Sequence, residues 1–144
     1  MNIDYHLKSD RRTTPFDPER EGVVKPGEFL PFGKLRTDHQ FEMDFSPDQG
    51  WHNPRIVPYG PIQGLMWGAT AVNYAIQAFE GGKAFRHEDG KIVLFRPRKH
   101  AYRFQRSAEL LGIPELPKDM FVDAIKALVD VDRLWYPEGE DSSL

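Results

Sequence analysis

The sequence contains no cysteine, no long apolar run and no excess of basic residues. Without cysteine, disulfide scaffolds, Cys-bearing metal sites and thiol catalysis are excluded. No apolar segment reaches the ~20 residues of a membrane-spanning helix, and the N-terminus has no apolar core of a secretory signal peptide. Lys and Arg number 19 against 22 Asp and Glu, a net charge of -3, which argues against sequence-independent nucleic-acid binding. We therefore expect a cytoplasmic protein that binds neither nucleic acid nor membrane.

The 144 residues have the length of one ordinary domain, and 40% of them are hydrophobic. Prolines interrupt residues 1–31 repeatedly, which predicts an N-terminal arm with at most a short strand. Such an arm is either a flexible tail or a segment that packs on a neighbouring domain. Residues 32–144 then form the domain itself.

Three segments of the chain predict strands. Apolar and acidic residues alternate from 41 to 45, the period of a half-buried strand, and a turn at 46–50 separates them from a second, short strand at 55–57. Asp89-Gly90 predicts a hairpin between strands 83–86 and 92–95. Residues 134–136 suggest the start of a further strand, with a flexible tail as the alternative.

Helical periodicity recurs three times. Apolar residues at Val72, Ala75, Ile76 and Phe79 predict a helix that ends before Gly81. Residues 97–111 predict a second helix, and a third follows Pro117. This order of elements predicts the α+β class, with a mainly antiparallel sheet and about three helices packed on it.

Few residues suggest chemistry by themselves. No histidine has metal-ligand spacing, so we predict no metal site and expect the histidines in turns or on the surface. Tyr74 lies off the apolar stripe of its helix and is either partly buried or directed toward a cavity. Six cationic residues at the start of the second helix form either a solvated face or an anion site. They are Arg96, Arg98, Lys99, His100, Arg103 and Arg106.

Several motifs together resemble one enzyme family. The segment FGKLRTDH at 32–39 and the segment FEGGKAFR at 79–86 are the most specific, and RP at 96–97, RF at 103–104, SAE at 107–109 and PELP at 114–117 follow in order. These motifs resemble the branched-chain amino acid aminotransferases, fold type IV enzymes that use pyridoxal 5′-phosphate. The resemblance covers roughly residues 5–144 and corresponds to the small N-terminal domain of the family.

The resemblance implies a function and site residues. Arg103 matches the arginine that holds the cofactor phosphate, and Phe32, Tyr74 and Phe79 match the aromatic residues of the apolar substrate pocket. The implied reaction transfers an amino group between leucine, isoleucine or valine and 2-oxoglutarate, a 2-oxo acid. The family also implies a homodimer whose active sites lie near its interface.

Part of the implied machinery has no counterpart in this sequence. The lysine that forms a Schiff base with the cofactor belongs to the large domain of the family, and no lysine of this chain matches it. We therefore predict no catalytic residue here, an inactive chain in isolation, and exposed apolar surface near Phe32, Tyr74 and Phe79. Two positions depart from the family pattern, namely Asn73, where His is common, and Gly82, where Leu is common.

Two other interpretations remain open. The chain resembles, less specifically, D-amino acid aminotransferases and aminodeoxychorismate lyases of the same fold type. Alternatively, it is a non-catalytic binding or regulatory module that retains the small-domain fold.

Overall fold

A three-stranded sheet joins the N-terminus to the middle of the chain. The computed structural model describes residues 1–16, 33 and 35–137. Strand β1 (Asp4–Tyr5) pairs parallel with β3 (Gly50–Pro58), and β2 (His39–Ser46) pairs antiparallel with the other edge of β3. Both predicted strands are confirmed, and the second is longer than expected.

The central strand tolerates a proline because it bulges there. Pairing shifts between Glu42 and Asp44, so Asn53 and Pro54 together lie opposite a single residue of β2. Asn53 adopts a left-handed conformation with φ 50, as the extra residue of a bulge can. Pro54 has no N–H to donate, and a bulge is one of the few sheet positions that does not require one. Beyond the bulge, Arg55 forms ion pairs of 2.7 Å with Glu42 and Asp44.

The helix predicted over residues 72–79 is wrong in extent. Helix α1 spans only Thr70–Asn73, and Ala75 has φ 52. The apolar stripe remains largely outside the core, because Val72 is 50% and Phe79 91% exposed. A short helix is stable only when its apolar face is packed, so the chain continues in irregular structure up to the next strand.

The predicted hairpin is confirmed. Strands β4 (Ala84–Arg86) and β5 (Ile92–Leu94) pair antiparallel, and their turn contains Gly90 with φ 79. This hairpin forms its own two-stranded sheet. The Asp-Gly signal therefore gave both the turn and the pairing.

The two long helices are confirmed and pack against each other. Helix α2 (Pro97–Leu110) and helix α3 (Lys118–Val131) bring the rings of Phe104 and Phe121 into a stacked contact, with centroids 5.2 Å apart. Helix α3 also packs against β2. The α+β class is confirmed, with the three helices and mainly antiparallel sheets of the described residues.

The strand predicted at residues 134–136 is wrong. Residues Arg133–Trp135 form a 3-10 turn, in which the Trp135 backbone N–H donates to the Asp132 carbonyl at 2.9 Å. The Trp135 indole N–H donates to Asp38 Oδ2 at 2.9 Å. This long-range bond favours a turn over an extended strand, because the turn directs the indole back toward β2.

His39 contradicts the expectation that the histidines lie in turns or on the surface. Its side chain is fully buried, and its Nδ1 lies 2.6 Å from Asp132 Oδ1. The backbone N–H of Lys8 donates to His39 Nε2 at 2.9 Å. The contacts tie the N-terminal segment, β2 and the end of α3 together.

Several of the first 16 residues contact the rest of the domain, although most of the segment is exposed. The Arg12 backbone N–H donates to Asp38 Oδ2 at 2.7 Å, and Phe16 is buried. The division at residue 31 stays a prediction, because residues 17–32 lie outside the described part of the chain. Among residues 1–16, 33 and 35–137, no helix has the length and apolar character that crossing a membrane requires.

Candidate functional site

Arg103 lies midway along α2 and is bound on one edge by a carboxylate. Its Nε donates to Glu80 Oε2 at 3.1 Å, and its Nη2 donates to Glu80 Oε1. Two parallel hydrogen bonds between a guanidinium and a carboxylate are a strong, directional arrangement. Arg103 thus occupies a defined orientation above the segment that leads into β4.

His100 completes a three-residue cluster with Glu80 and Arg103. It lies one turn before Arg103 on α2, and its Nδ1 is 2.8 Å from Glu80 Oε1. The side chains of Glu80 and His100 are 10% and 16% exposed, whereas that of Arg103 is 62% exposed. The cluster therefore combines a nearly buried carboxylate with an exposed guanidinium.

The ion pair shifts both of its members toward their charged forms. The hydrogen bonds from Arg103, assisted by His100, lower the pKa of Glu80 below its ordinary value even though partial burial acts the other way. The same bonds raise the pKa of Arg103. Glu80 is consequently an anion and Arg103 a cation at neutral pH.

One end of the Arg103 guanidinium remains available. Within the described residues, no hydrogen bond reaches its Nη1. An arginine carries five N–H donors in a planar fork. Nη1 and the second N–H of Nη2 can therefore bind an external anion while Nε and Nη2 stay bound to Glu80.

The structure places the predicted aromatic residues unequally. Phe79 directly precedes Glu80 in the sequence, and 91% of its surface is exposed. Tyr74 is 77% exposed, and no hydrogen bond or ring contact among the described residues joins it to Arg103. Phe32 lies outside the described residues. The prediction of exposed apolar surface is confirmed at Tyr74 and Phe79.

An apolar cavity of about 280 Å³ lies beneath the cluster. The hairpin contributes Ala84 and Leu94 to its lining, α3 contributes Phe121 and Ile125, and Glu80 and His100 lie at its polar edge. The cavity therefore lies between the hairpin and α3, with the cluster on one side of it.

Of the two departures from the family pattern, Asn73 has a local role and Gly82 has no structural explanation. The Asn73 side-chain amide donates to the carbonyls of Trp67 and Ala69, at 2.5 and 3.2 Å, and so holds the loop before α1. At Gly82 a Cβ would lie 3.9 Å from His100 Cδ2, an ordinary contact distance. Glycine at this position therefore leaves open space beside His100.

Sequence reasoning missed the roles of Glu80 and His100. Both were visible, since Glu80 belongs to the FEGGKAFR motif and His100 lies three residues before Arg103 on a predicted helix. Their contact depends on how the hairpin packs against α2, which periodicity does not predict. Among the described residues, no three His, Asp or Glu side chains converge in a way that could hold a metal ion.

The sequence comparisons agree with the resemblance carried by the motifs. No protein-family model matches the chain. The chain is 46% identical over 129 residues to the branched-chain-amino-acid aminotransferase of Mycolicibacterium smegmatis, a match that covers 88% of this chain and 34% of that protein. The enzyme of the same name from Mycobacterium tuberculosis is 44% identical over 122 residues, 84% of this chain and 32% of its own length.

A more distant relative gives the same result. Branched-chain-amino-acid aminotransferase 2 of Bacillus subtilis is 40% identical over 115 residues, 80% of this chain and 31% of that protein. The chain spans about one third of the length of the curated relatives it matches, in their N-terminal portion. The predicted resemblance to branched-chain aminotransferases is thereby confirmed.

Proposed function

We propose that this chain forms one wall of the active site of a pyridoxal-phosphate-dependent aminotransferase for branched-chain amino acids. The observation that carries the proposal is Arg103, whose guanidinium is oriented by Glu80 while no hydrogen bond among the described residues uses its Nη1. Similarity to branched-chain aminotransferases over 80–88% of the chain supports the same assignment.

In this proposal, Arg103 binds the phosphate of the cofactor. Its donor set fits a phosphate, because a guanidinium stays charged at all relevant pH values and donates two parallel hydrogen bonds to oxygen. Nη1 and the second N–H of Nη2 supply those donors. The bound cofactor would provide the electron sink that labilises bonds at the carbon bearing the amino group.

The aromatic side chains would bind the substrate. Phe79, Tyr74 and Phe32 are proposed to pack against an aliphatic side chain and to exclude water from it. Each buried methylene contributes about 0.8 kcal/mol, which favours leucine, isoleucine and valine over small or charged amino acids. The same contacts separate the three branched substrates only modestly.

The catalytic lysine and the rest of the pocket are proposed to come from protein outside this sequence. No lysine of the chain matches the family's cofactor-binding lysine, so the proposal assigns no turnover to the chain by itself. The 2-oxo acid partner, a homodimeric assembly and a cytoplasmic location also belong to the proposal.

The phosphate contact can be tested on the 144-residue chain. Pyridoxamine 5′-phosphate and pyridoxamine are titrated in parallel by calorimetry, so that their difference isolates the phosphate. Arg103→Ala is expected to weaken binding of the phosphate compound about tenfold or more, the value of a charge-assisted hydrogen bond, and to leave pyridoxamine unaffected.

Arg98→Ala is the matched control. Arg98 lies on the same helix, is 77% exposed and pairs with Asp119 at 2.9 Å. It should have little effect, because it is not part of the cluster. Equal losses in the two variants would indicate a general charge effect, and no loss in Arg103→Ala would remove Arg103 from the phosphate site.

A further inference from the structure

We propose that Glu80 is a positioning residue, which orients the Arg103 guanidinium so that its Nη1 end faces an incoming phosphate. This role rests on the proposed function of Arg103. The negative charge of Glu80 by itself would repel a bound anion. The proposal therefore gives this carboxylate a favourable role that depends on orientation and not on charge.

Glu80 occupies the inner, Nε edge of the Arg103 guanidinium. Both hydrogen bonds use the Nε side of Arg103, through Nε and Nη2. Because Nε lies nearest the aliphatic stem, these bonds fix the plane of the guanidinium and leave its far end free. A bond to Nη1 and Nη2 would instead have occupied the far end and left only the Nε edge for a phosphate.

Glu80 is itself held in place by burial and by a second contact. Its side chain is 10% exposed, and its Oε1 lies 2.8 Å from His100 Nδ1. His100 is held in turn by α2, with 16% of its side chain exposed. Glu80 is therefore held against α2 and can restrict the motion of the exposed Arg103 side chain.

His100 Nδ1 must donate to Glu80 for this arrangement to hold. The same nitrogen lies 3.0 Å from Arg103 Nη2, but it cannot donate to the carboxylate and accept from the guanidinium at once. The shorter contact, to an anion, fits a donor. Oε1 then accepts from both His100 and Arg103, and the carboxylate joins the two side chains.

The contacts with Glu80 also reduce the entropy that Arg103 loses on binding. Arg103 is 62% exposed, and a long exposed side chain loses rotamer freedom when it binds a ligand. The contacts with Glu80 remove that freedom before the phosphate arrives. Loss of Glu80 should weaken phosphate binding about threefold to tenfold, the range for ordering one long side chain.

Simple electrostatics predicts the opposite sign. A carboxylate close to a phosphate repels it, so removal of the charge alone should tighten binding. The sign of the change therefore separates a positioning residue from a competitor for the guanidinium.

The experiment compares Glu80→Gln, Glu80→Asp and the control Glu88→Gln in the 144-residue chain. Glu88 lies in the exposed hairpin turn, so its substitution removes one negative charge without affecting the cluster. The Arg103 Nε–H signal is identified by its loss in Arg103→Ala, and its ¹⁵N relaxation reports the order of the guanidinium. Affinity for pyridoxamine 5′-phosphate is measured on the same samples.

We expect both Glu80 variants to lose order at Arg103 and to bind the phosphate compound about threefold to tenfold more weakly, while Glu88→Gln behaves as the wild type. Glu80→Asp retains the charge but shortens the arm, so it tests orientation alone and also serves if Glu80→Gln fails to fold. Unchanged order, or affinity that stays equal or rises in Glu80→Gln, would overturn the positioning role.

The Arg103→Ala sample separates the two proposals. If it binds the phosphate compound as well as the wild type does, the proposed function of Arg103 fails, whatever the Glu80 variants show. If it binds weakly while the Glu80 variants bind normally, only the positioning role fails.

Discussion

His39 has a defined tautomer because both of its ring nitrogens are engaged. Nε2 accepts the Lys8 backbone N–H at 2.9 Å, so it carries no proton, and Nδ1 donates to Asp132 at 2.6 Å. The Asp132 carboxylate also accepts the His39 backbone N–H at 3.0 Å. A buried carboxylate is tolerated only with such a set of donors, which makes His39 a structural residue.

Nearby, Asp38 is an anion in a similar setting. Burial acts to raise its pKa, but hydrogen bonds from the Arg12 backbone and the Trp135 indole, with the Lys8 ammonium, lower the pKa below the ordinary value of 3.8. Its contribution to stability is therefore complete above that value and is lost as the pH falls through the lower pKa of the folded state.

We expect ionisation of Tyr136 to lower the free energy of unfolding at alkaline pH. Burial, with the charge of Asp132, raises the pKa of this phenol from 10.0 to about 12. Its contribution is complete below pH 10 and is lost as the pH rises to about 12, because the unfolded chain ionises first. We expect the free energy of unfolding to fall by about 2 kcal/mol over this window, as measured by urea unfolding.

Tyr136→Phe provides the comparison, because phenylalanine keeps the ring and removes the ionisation. Other tyrosines and lysines titrate in the same range in both proteins, so the difference between the two curves isolates Tyr136. Parallel curves from pH 9 to 12 would contradict the assignment.

At the scale of elements, helix α2 ends in a Schellman motif. The Ile113 N–H donates to the Ala108 carbonyl at 2.9 Å, and the Gly112 N–H donates to the Glu109 carbonyl at 3.0 Å. Gly112 has φ 67, and a Cβ there would meet no atom within 4 Å. The cost of a side chain at this position is therefore conformational and not steric.

Gly112→Ala is expected to lower the free energy of unfolding by about 1 kcal/mol, the cost of a left-handed conformation for an L-residue. Gly81→Ala is the control, since its surroundings are equally open and its φ is not positive. Urea unfolding of the two variants should differ by that amount. A similar loss in Gly81→Ala would point to a general effect of glycine replacement.

The elements that the sequence predicted well are those with local signals. Asp89-Gly90 specifies a hairpin turn, and Pro97 with Gly112 marks the ends of α2. The helix predicted over residues 72–79 was too long, because periodicity does not show whether an apolar stripe packs against another element. The 3-10 turn at Trp135 was missed because its cause, a bond to Asp38, lies far away in the sequence.

Some residues of the candidate site were likewise predictable from the sequence, and others were not. Arg103, Tyr74 and Phe79 came from motif resemblance, and their roles stay proposals. The Glu80–Arg103 contact was not predictable, since it joins residues on separate elements through tertiary packing. Local chemistry identifies the donor, but only the fold identifies the carboxylate that orients it.

At the scale of the whole molecule, the apolar surface is concentrated in one stretch of chain. Nine large hydrophobic residues between 59 and 79 are each at least 38% exposed. Exposed large apolar residues in such number are typical of interaction sites. The nine are Tyr59, Ile62, Leu65, Met66, Trp67, Val72, Tyr74, Ile76 and Phe79.

We expect the chain to self-associate at high concentration through this stretch. Trp67 is 92% exposed, and aromatic residues dominate association energetics. Trp67→Gln should therefore weaken self-association in sedimentation equilibrium without altering the unfolding transition.

Leu110→Gln serves as the control, because Leu110 is 81% exposed but lies on α2, outside this stretch. An equal effect of the two substitutions would show that association follows total exposed apolar area and not this surface.

The bonds that join Asp38 to Trp135 and His39 to Asp132 also limit when this part of the domain can form during synthesis. Asp38 and Trp135 are 97 residues apart, and His39 and Asp132 are 93 apart. At cellular elongation rates, the partners of β2 follow it out of the ribosome by roughly 5–20 s. Through that interval Asp38 and His39 have their contacts with Lys8 and Arg12 but not those with Trp135 and Asp132, so this part of the domain is completed only after residue 135 has emerged.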